Sequence, residues 1–212
     1  MSVYHTKTNY TGEFLIDIAS NVIAKAQEGD EIAFTQIVEA FQTPVFNLCY
    51  RMLGDGKEAE DAAQEAFLRA HLAISKYDSE RPFGTWLLSI AAHFCIDQQR
   101  KRKLPMADID EYLEETAPDR NVPNPESVTI EKEGQAKIQK ILLTLPDIDR
   151  AAIILRYWQE FSEEEICQTL DLTISAVKSR LHRARHKLAA AWESENLVEN
   201  QAERMKNGSP AF

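Results

Sequence analysis

The chain has 212 residues, of which 44% are hydrophobic and 27% charged, and its formal net charge is −10. That length can bury one large or two small cores, and no apolar run approaches the roughly 18 residues of a membrane span. The opening residues, MSVYHTKTNYTGEF, lack the basic start and apolar core of a signal peptide, so a cytoplasmic protein without membrane insertion is expected. Cys49, Cys95 and Cys167 lie far apart among apolar helical neighbours, which predicts buried reduced thiols rather than a disulfide framework or a zinc site. The five histidines, at 5, 71, 93, 182 and 186, have no metal spacing, and no glycine-rich phosphate loop is present. No cofactor and no catalytic constellation is implied, which points away from an enzyme.

Apolar residues recur at spacings of three and four over most of the chain, and glycines are few, so the predicted fold is all-α. After an N-terminal extension over 1–19, Gly29 and Asp30 form a helix stop followed by an N-cap. They open a helix through Phe34, Ile37, Val38 and Phe41. Pro44 is expected to open a separate helix, VFNLCYRMLG, ending at Gly54. In KEAEDAAQEAFLRAHLAISKY, Ala59, Ala62, Ala63, Ala66, Phe67, Ala70 and Ile74 form one apolar stripe. Glu58, Asp61, Gln64, Glu65 and Arg69 are left on or beside the opposite face. A polar loop, DSERP, precedes a further helix, FGTWLLSIAAHFCIDQQRKRK, which ends in Arg100, Lys101, Arg102 and Lys103 and closes a first domain over 20–103.

Residues 105–133 hold nine acids against Arg120 and Lys132, with prolines at 105, 118, 123 and 125. This composition predicts a flexible acidic linker over 104–133. Helical periodicity resumes at Ile138, Ile141, Leu142 and Leu145, and LPDIDRAAIILRYWQEF supplies another helix, giving a second small helical domain over 134–191. The polar tail, 192–212, is expected to be mobile.

The stretch FSEEEICQTLDLTISAVKSRLHRARHKL has the layout of a helix-turn-helix. Ser162 and Glu165 are spaced as a capping box, LDL is a tight connection, and Thr173 can cap the second helix. Ile174, Val177, Leu181, Ala184 and Leu188 share one arc of that helix. Ser175, Ser179, His182, Arg183 and His186 point away from it, flanked by Lys178, Arg180, Arg185 and Lys187. Such a face suits DNA: short hydroxyls permit close approach, arginine can donate two bonds to a guanine edge, and lysines neutralise phosphates.

A helix-turn-helix alone does not identify the machine. Four blocks in order do more: EAEDAAQEAFLRA, FGTWLLSIAAHFCIDQQRKRK, LPDIDRAAIILRYWQEFSEEEI and TISAVKSRLHRARHKL. Together they resemble regions 2.2, 2.3–2.4, 4.1 and 4.2 of the extracytoplasmic-function group of σ70-family sigma factors, over roughly residues 20–190. The resemblance implies a promoter-reading subunit whose partners are core RNA polymerase, through the β′ clamp helices and the β flap, promoter DNA, and an anti-sigma factor. By the same resemblance Asp61, Gln64, Glu65 and Arg69 would dock on the clamp. Lys76, Tyr77, Ser79, Glu80, Arg81, Trp86, His93, Arg100, Lys101 and Arg102 would serve the −10 element, with DSERP as the loop that accepts a flipped base. Ser175, Lys178, Ser179, Arg180, His182, Arg183, Arg185 and Lys187 would serve the −35 element. Trp86 and Phe94 also share the apolar stripe of Phe83, Leu87 and Ile90, where core packing is the simpler expectation. The chain departs from the family at Asp171, Ala176 and near Glu160, where glycine is common, and at His93, where asparagine is. Two other readings fit the residues less fully. A stand-alone helix-turn-helix regulator with an N-terminal sensor or dimerisation domain leaves the first two blocks unused, and a helical adaptor leaves both basic blocks unexplained.

Overall fold

The computed structural model describes residues 4–8, 14–103 and 129–207. An antiparallel hairpin, β1 (Tyr4–Thr8) and β2 (Phe14–Ile18), pairs Tyr4 with Ile18 and Thr8 with Phe14, and precedes the helices. It is an addition to the all-α chain that the helical periodicity did not announce. The first bundle contains α1 (Ser20–Gln27), α2 (Glu31–Leu53), α3 (Gly56–Ala73), a 3₁₀ turn over Ile74–Lys76 and α4 (Phe83–Lys103). The second contains α5 (Thr129–Leu143), α6 (Asp147–Tyr157), α7 (Glu163–Leu170) and α8 (Ile174–Asn207). Most of the acidic linker lies outside the described residues.

Local chemistry places most boundaries. Gly29 takes φ +92°, and the Asp30 carboxylate accepts from the backbone N–H groups of Ile32 (2.8 Å) and Ala33 (3.1 Å), so α1 stops and α2 starts there. Gly54 ends α2 at φ +86°, a left-handed cap that a Cβ would strain. The expected break at Pro44 is absent: α2 runs unbroken from Glu31 to Leu53 with Pro44 inside it. Proline removes one helical hydrogen bond and crowds the preceding turn. The buried stripe Ile37, Phe41, Val45, Leu48 and Met52 holds the two halves in one register against that loss.

Alanines at 59, 62, 63, 66 and 70 form the buried back of α3 and let it approach α2 and α4 closely. Leu87, Leu88, Ala91, Ala92 and Cys95 face them from α4. In the second bundle α6 is central, buried continuously from Asp149 to Leu155 between its neighbours. Cys49 and Cys95 are buried, while Cys167 is half-exposed rather than buried. A hydrogen bond with Cys49, together with burial, pushes the Cys95 thiol well above its ordinary range and keeps it protonated.

The tail expected to be mobile beyond residue 191 is instead helical as far as Asn207, as a continuation of α8. Trp192, Glu195 and Asn196 tie this extension to α5: the Lys137 ammonium lies 4.6 Å from the Trp192 ring centre and donates to Asn196 at 2.6 Å, and Lys140 pairs with Glu195 at 2.8 Å. No local sequence pattern announces these contacts, because their partners sit about 55 residues upstream.

Among the described residues, two that are not glycine have left-handed backbones, Glu160 (φ 54°) and Asp171 (φ 57°). Aspartate tolerates this region better than most residues but still incurs a Cβ penalty. Asp171→Gly is therefore expected to stabilise the chain by about 0.5–1 kcal/mol. The check is chemical denaturation at constant m-value, where an unchanged or lowered midpoint contradicts it.

Candidate functional site

On α3, the Asp55 side chain caps the helix by accepting from the Glu58 N–H at 2.9 Å, which fixes the start of the outward face. Asp61 and Gln64 are exposed, and Glu65 is half-buried with its carboxylate 2.7 Å from Arg69 Nε. Arg69 also lies over the Phe94 ring at 4.8 Å, so its guanidinium is held between α3 and α4. The structure adds two residues to this face that charge patterning does not mark: Leu68 is 56% and Leu72 73% exposed. Asp61, Glu65, Leu68 and Leu72 follow one another at steps of four, three and four, the spacing of a seam that meets another helix. That spacing was the available sequence signal.

The DSERP loop is braced from beneath. Gln27 Nε2 donates to the carbonyls of Tyr77 (2.9 Å) and Ile74 (3.2 Å), and the Tyr77 hydroxyl donates to the Arg81 carbonyl. Asp78 folds the loop back by accepting from the Glu80 N–H at 3.0 Å. Tyr77, Phe83 and Trp86 pack with ring centres 5.1–5.3 Å apart, and Phe41 joins Phe83 at 5.6 Å. Tyr77 is therefore core, its phenol pushed above the ordinary value by burial and then by Asp78, and Trp86 is half-buried in the same cluster. Ser79 and Glu80 are exposed at the rim of an open cleft of about 460 Å³, while Arg81 lies partly within it. Lys76 is exposed beneath the loop, and His93 is exposed on α4 with Nδ1 2.9 Å from the Ser89 carbonyl. At the end of α4, Arg100 pairs with Asp97 and Arg102 with Glu58, both at 2.5 Å, and Lys101 is exposed.

The helix-turn-helix is built as its spacing predicts. Ser162 Oγ accepts from the Glu165 N–H (3.1 Å), and Glu165 accepts from the Ser162 N–H (2.8 Å). Asp171 makes the turn, and Thr173 Oγ1 accepts from the Ala176 N–H at 3.2 Å to start α8. Val177, Leu181 and Ala184 are buried, Leu188 is half-buried, and Ile174 is 37% exposed at the rim rather than inside. Ser175, Lys178, Ser179, His182, Arg183, Arg185, His186 and Lys187 are exposed on one face. Arg183 donates to Ser179 Oγ at 2.8 Å, and the His182 and His186 Nε2 atoms stand 3.2 Å apart. Beside them lies an open groove of about 600 Å³ lined by Arg156, Tyr157, Lys178, Ser179, His182 and Arg185, with Glu163 at its edge. Arg180 is placed differently from its neighbours. Its guanidinium lies 2.7 Å from the buried Asp149 carboxylate and locks α8 to α6.

Residues 37–104 match the Sigma-70 region 2 family and residues 135–188 match Sigma-70 region 4. The chain belongs to the extracytoplasmic-function group of the σ70 family. It is 39% identical over 177 residues to the ECF sigma factor SigW of Bacillus subtilis, covering 78% of this chain and 92% of that one. It is 31% identical to the Escherichia coli K12 sigma-E factor over 77% of this chain and 88% of that one, and 30% identical to the Pseudomonas aeruginosa sigma-H factor over 80% and 91%. Among solved structures, CnrH in complex with the cytosolic domain of CnrY shares the fold at TM-score 0.61 and 24% identity over 82% of this chain and 96% of that one. RpoE of Bartonella quintana, in complex with the anti-sigma factor NepR, does so at 0.57 and 20% over 76% and 96%. This sigma factor is a promoter-recognition subunit that directs transcription initiation, and is not an enzyme.

Because Arg180 holds a buried carboxylate and is itself about a quarter exposed, Arg180→Ala should act first on stability. A loss of roughly 2 kcal/mol is expected, below the 3–5 of a fully buried pair. Urea unfolding decides it: a variant with wild-type stability but weakened −35 binding places Arg180 on the DNA instead.

Proposed function

We propose that the three surfaces divide promoter recognition as follows: the outward face of α8 reads the −35 element, the loop over 78–82 with the outer side of α4 takes the melted −10 strand, and the outward face of α3 docks on the β′ clamp helices of core RNA polymerase. The domain spans that carry them are 20–103 and 134–191, with the second domain seated on the β flap. The observation that carries the reading is the exposed row on α8, hydroxyls and cations with no acid from Ile174 to Trp192. A helix presenting such a row fits the major groove, and its cations meet the phosphates on either side. Ser79, Glu80 and Arg81 form the base pocket, with Tyr77 and Trp86 as its rigid floor. Lys76, His93, Arg100, Lys101 and Arg102 line the path of the strand. Within the −35 set Arg180 positions the helix, while Ser175, Lys178, Ser179, His182, Arg183, Arg185 and Lys187 face the DNA. A stand-alone regulator is not favoured, because the first domain belongs to σ70 region 2.

An anti-sigma factor is a fitting partner, since both fold neighbours were solved with such partners or with a partner's cytosolic domain. Work alongside RNA polymerase fits the cytoplasm, and among the described residues no helix is long and apolar enough to cross a membrane.

Base readers and phosphate clamps separate by experiment. Arg183→Ala should cost roughly 1–3 kcal/mol at the preferred −35 sequence and relax discrimination there. Lys187→Ala should weaken all sequences about equally and make the salt slope shallower by about one unit. Holoenzyme binding to a panel of −35 variants at several salt concentrations measures both, and uniform weakening by Arg183→Ala means the helix grips backbone only. On the other face, Glu65→Lys should lower affinity for core polymerase about tenfold with the fold intact, because Glu65 lies on a solvent-directed face. Competition against the wild-type chain for limiting core reads this out, and equal competition removes α3 from the interface.

A further inference from the structure

Of the five histidines, from which no metal spacing was expected, two meet on the outward face of α8. His182 and His186 are exposed one turn apart, with ring centres 4.4 Å apart and Nε2 atoms 3.2 Å apart. Residues four apart on a helix are neighbours, and here the helix beneath them is held firmly. Val177, Leu181 and Ala184 are buried, and Arg180 ties α8 to Asp149 at 2.7 Å. Elsewhere His71 packs edge-on against Phe34 at 4.6 Å, and His93 meets the Ser89 carbonyl at 2.9 Å. At 3.2 Å the two Nε2 atoms share one proton, because two N–H groups or two lone pairs set face to face repel. The same separation suits two imidazoles on one tetrahedral ion. Zinc–nitrogen bonds of about 2.0–2.1 Å at a tetrahedral angle place the nitrogens about 3.3 Å apart, whereas the square-planar preference of Cu²⁺ and Ni²⁺ brings them to about 2.9 Å.

We propose that His182 and His186 form a reversible Zn²⁺ site on α8, and that the bound ion opposes recognition of the −35 element. The site stands on the geometry of the pair alone; the opposition rests on the functional reading of α8 above. Zinc takes the place of the shared proton once the donor ring carries its hydrogen on Nδ1, so that both Nε2 lone pairs point at the ion. Among the described residues no group of three or more His, Cys, Asp or Glu side chains gathers, so two imidazoles are the protein's share and water completes the tetrahedron. Lys178, Arg183, Arg185 and Lys187 are exposed around the pair and repel a dication, though salt screens them. Two ligands against that repulsion make a site that fills and empties with zinc concentration, unlike a structural centre closed by four protein ligands. His182 also lines the open groove beside Lys178, Ser179 and Arg185. A bound ion fixes both rings, occupies the Nε2 that His182 otherwise turns to DNA, and sets a hydrated metal where the helix must close on the groove. Linkage makes the effect reciprocal: −35 DNA lowers zinc affinity by the same factor.

The test begins with the full chain and Zn²⁺ alone. Titration calorimetry should find a site that His182→Gln and His186→Gln each weaken about tenfold or more. Both residues are exposed, so the urea midpoint should stay at the wild-type value in each variant and exclude a folding defect. Equal zinc binding by wild type and both variants places the ion on other donors, such as Cys167, and overturns the site. The second measurement is holoenzyme binding to −35 duplex with and without Zn²⁺. His186 stands outside the set proposed to face the DNA, so His186→Gln should keep the zinc-free affinity. Saturating zinc should weaken wild-type binding roughly tenfold and leave His186→Gln unchanged. Equal weakening of both belongs to polymerase or DNA and overturns the opposition, as does wild-type binding indifferent to zinc at concentrations that fill the site. The reading of α8 fails separately: if Arg183→Ala and Lys187→Ala leave −35 binding untouched, the helix is not the reader, while the calorimetric difference between wild type and the histidine variants still establishes the zinc site.

Discussion

The guanidinium of Arg150 is the interaction on which the second bundle and its seat on the first depend. Almost wholly buried, it donates to the carbonyls of Leu142, Leu143 and Leu145 at 2.9 Å, and also to Met52. All four carbonyls belong to helix ends or to the turn that follows one, where the backbone has acceptors to spare and the dipole is negative. A planar group with five fixed donors can serve them together, whereas an ammonium cannot. Burial lowers the arginine's pKa and the Asp147 carboxylate, 3.9 Å away, opposes that shift, so the cation persists where its loss would orphan several acceptors at once.

From that point the geometry passes outward by short steps. Arg150 fixes the turn between α5 and α6, and one residue earlier Asp149 takes Arg180, which sets the rotation of α8 about its own axis. Because successive residues of a helix diverge by about 100°, a small roll of α8 would turn Ser179 and Arg183, proposed above to face the DNA, away from that direction. The buried ion pair therefore contributes direction as much as stability. Removing either partner would leave an uncompensated charge and an unoriented helix.

The parts legible in the sequence were those whose causes are local. Asp30, Ser162 with Glu165, and Thr173 cap helices using groups two or three residues away, so their spacing carries the information. The glycine positions of the family are informative in the same way: Glu160 and Asp171 occupy or adjoin two of them, and the backbone still adopts left-handed φ there without glycine. The parts that were not legible depend on distant partners. Pro44 reads as a helix start until the buried stripe on both sides of it is known. The helical continuation past residue 191 needs Lys137 and Lys140, and the ion pair of Arg180 with Asp149 joins residues 31 apart, which no local pattern announces. Leu68 and Leu72 differ in kind: charge patterning says nothing of exposed leucines that share a face with acids.

Net charge and local charge act at different ranges in this molecule. The acids of α7 are largely spent inside the protein: Glu163 faces Lys178 at 3.5 Å, and Glu165 serves both the capping box and Thr85. Among the described residues no carboxylate pairs with Arg183, Arg185 or Lys187, so the reading face keeps its cations uncompensated. At physiological salt the field of a charge decays within about 8 Å, so the acids elsewhere in the chain cannot cancel those cations for a phosphate in contact with them. They do weaken the long-range pull on DNA that a basic protein of this size would exert. On the proposed assignment of α8 to the −35 element, affinity rises when polymerase holds region 2 and region 4 on one promoter and converts two weak contacts into a joint one.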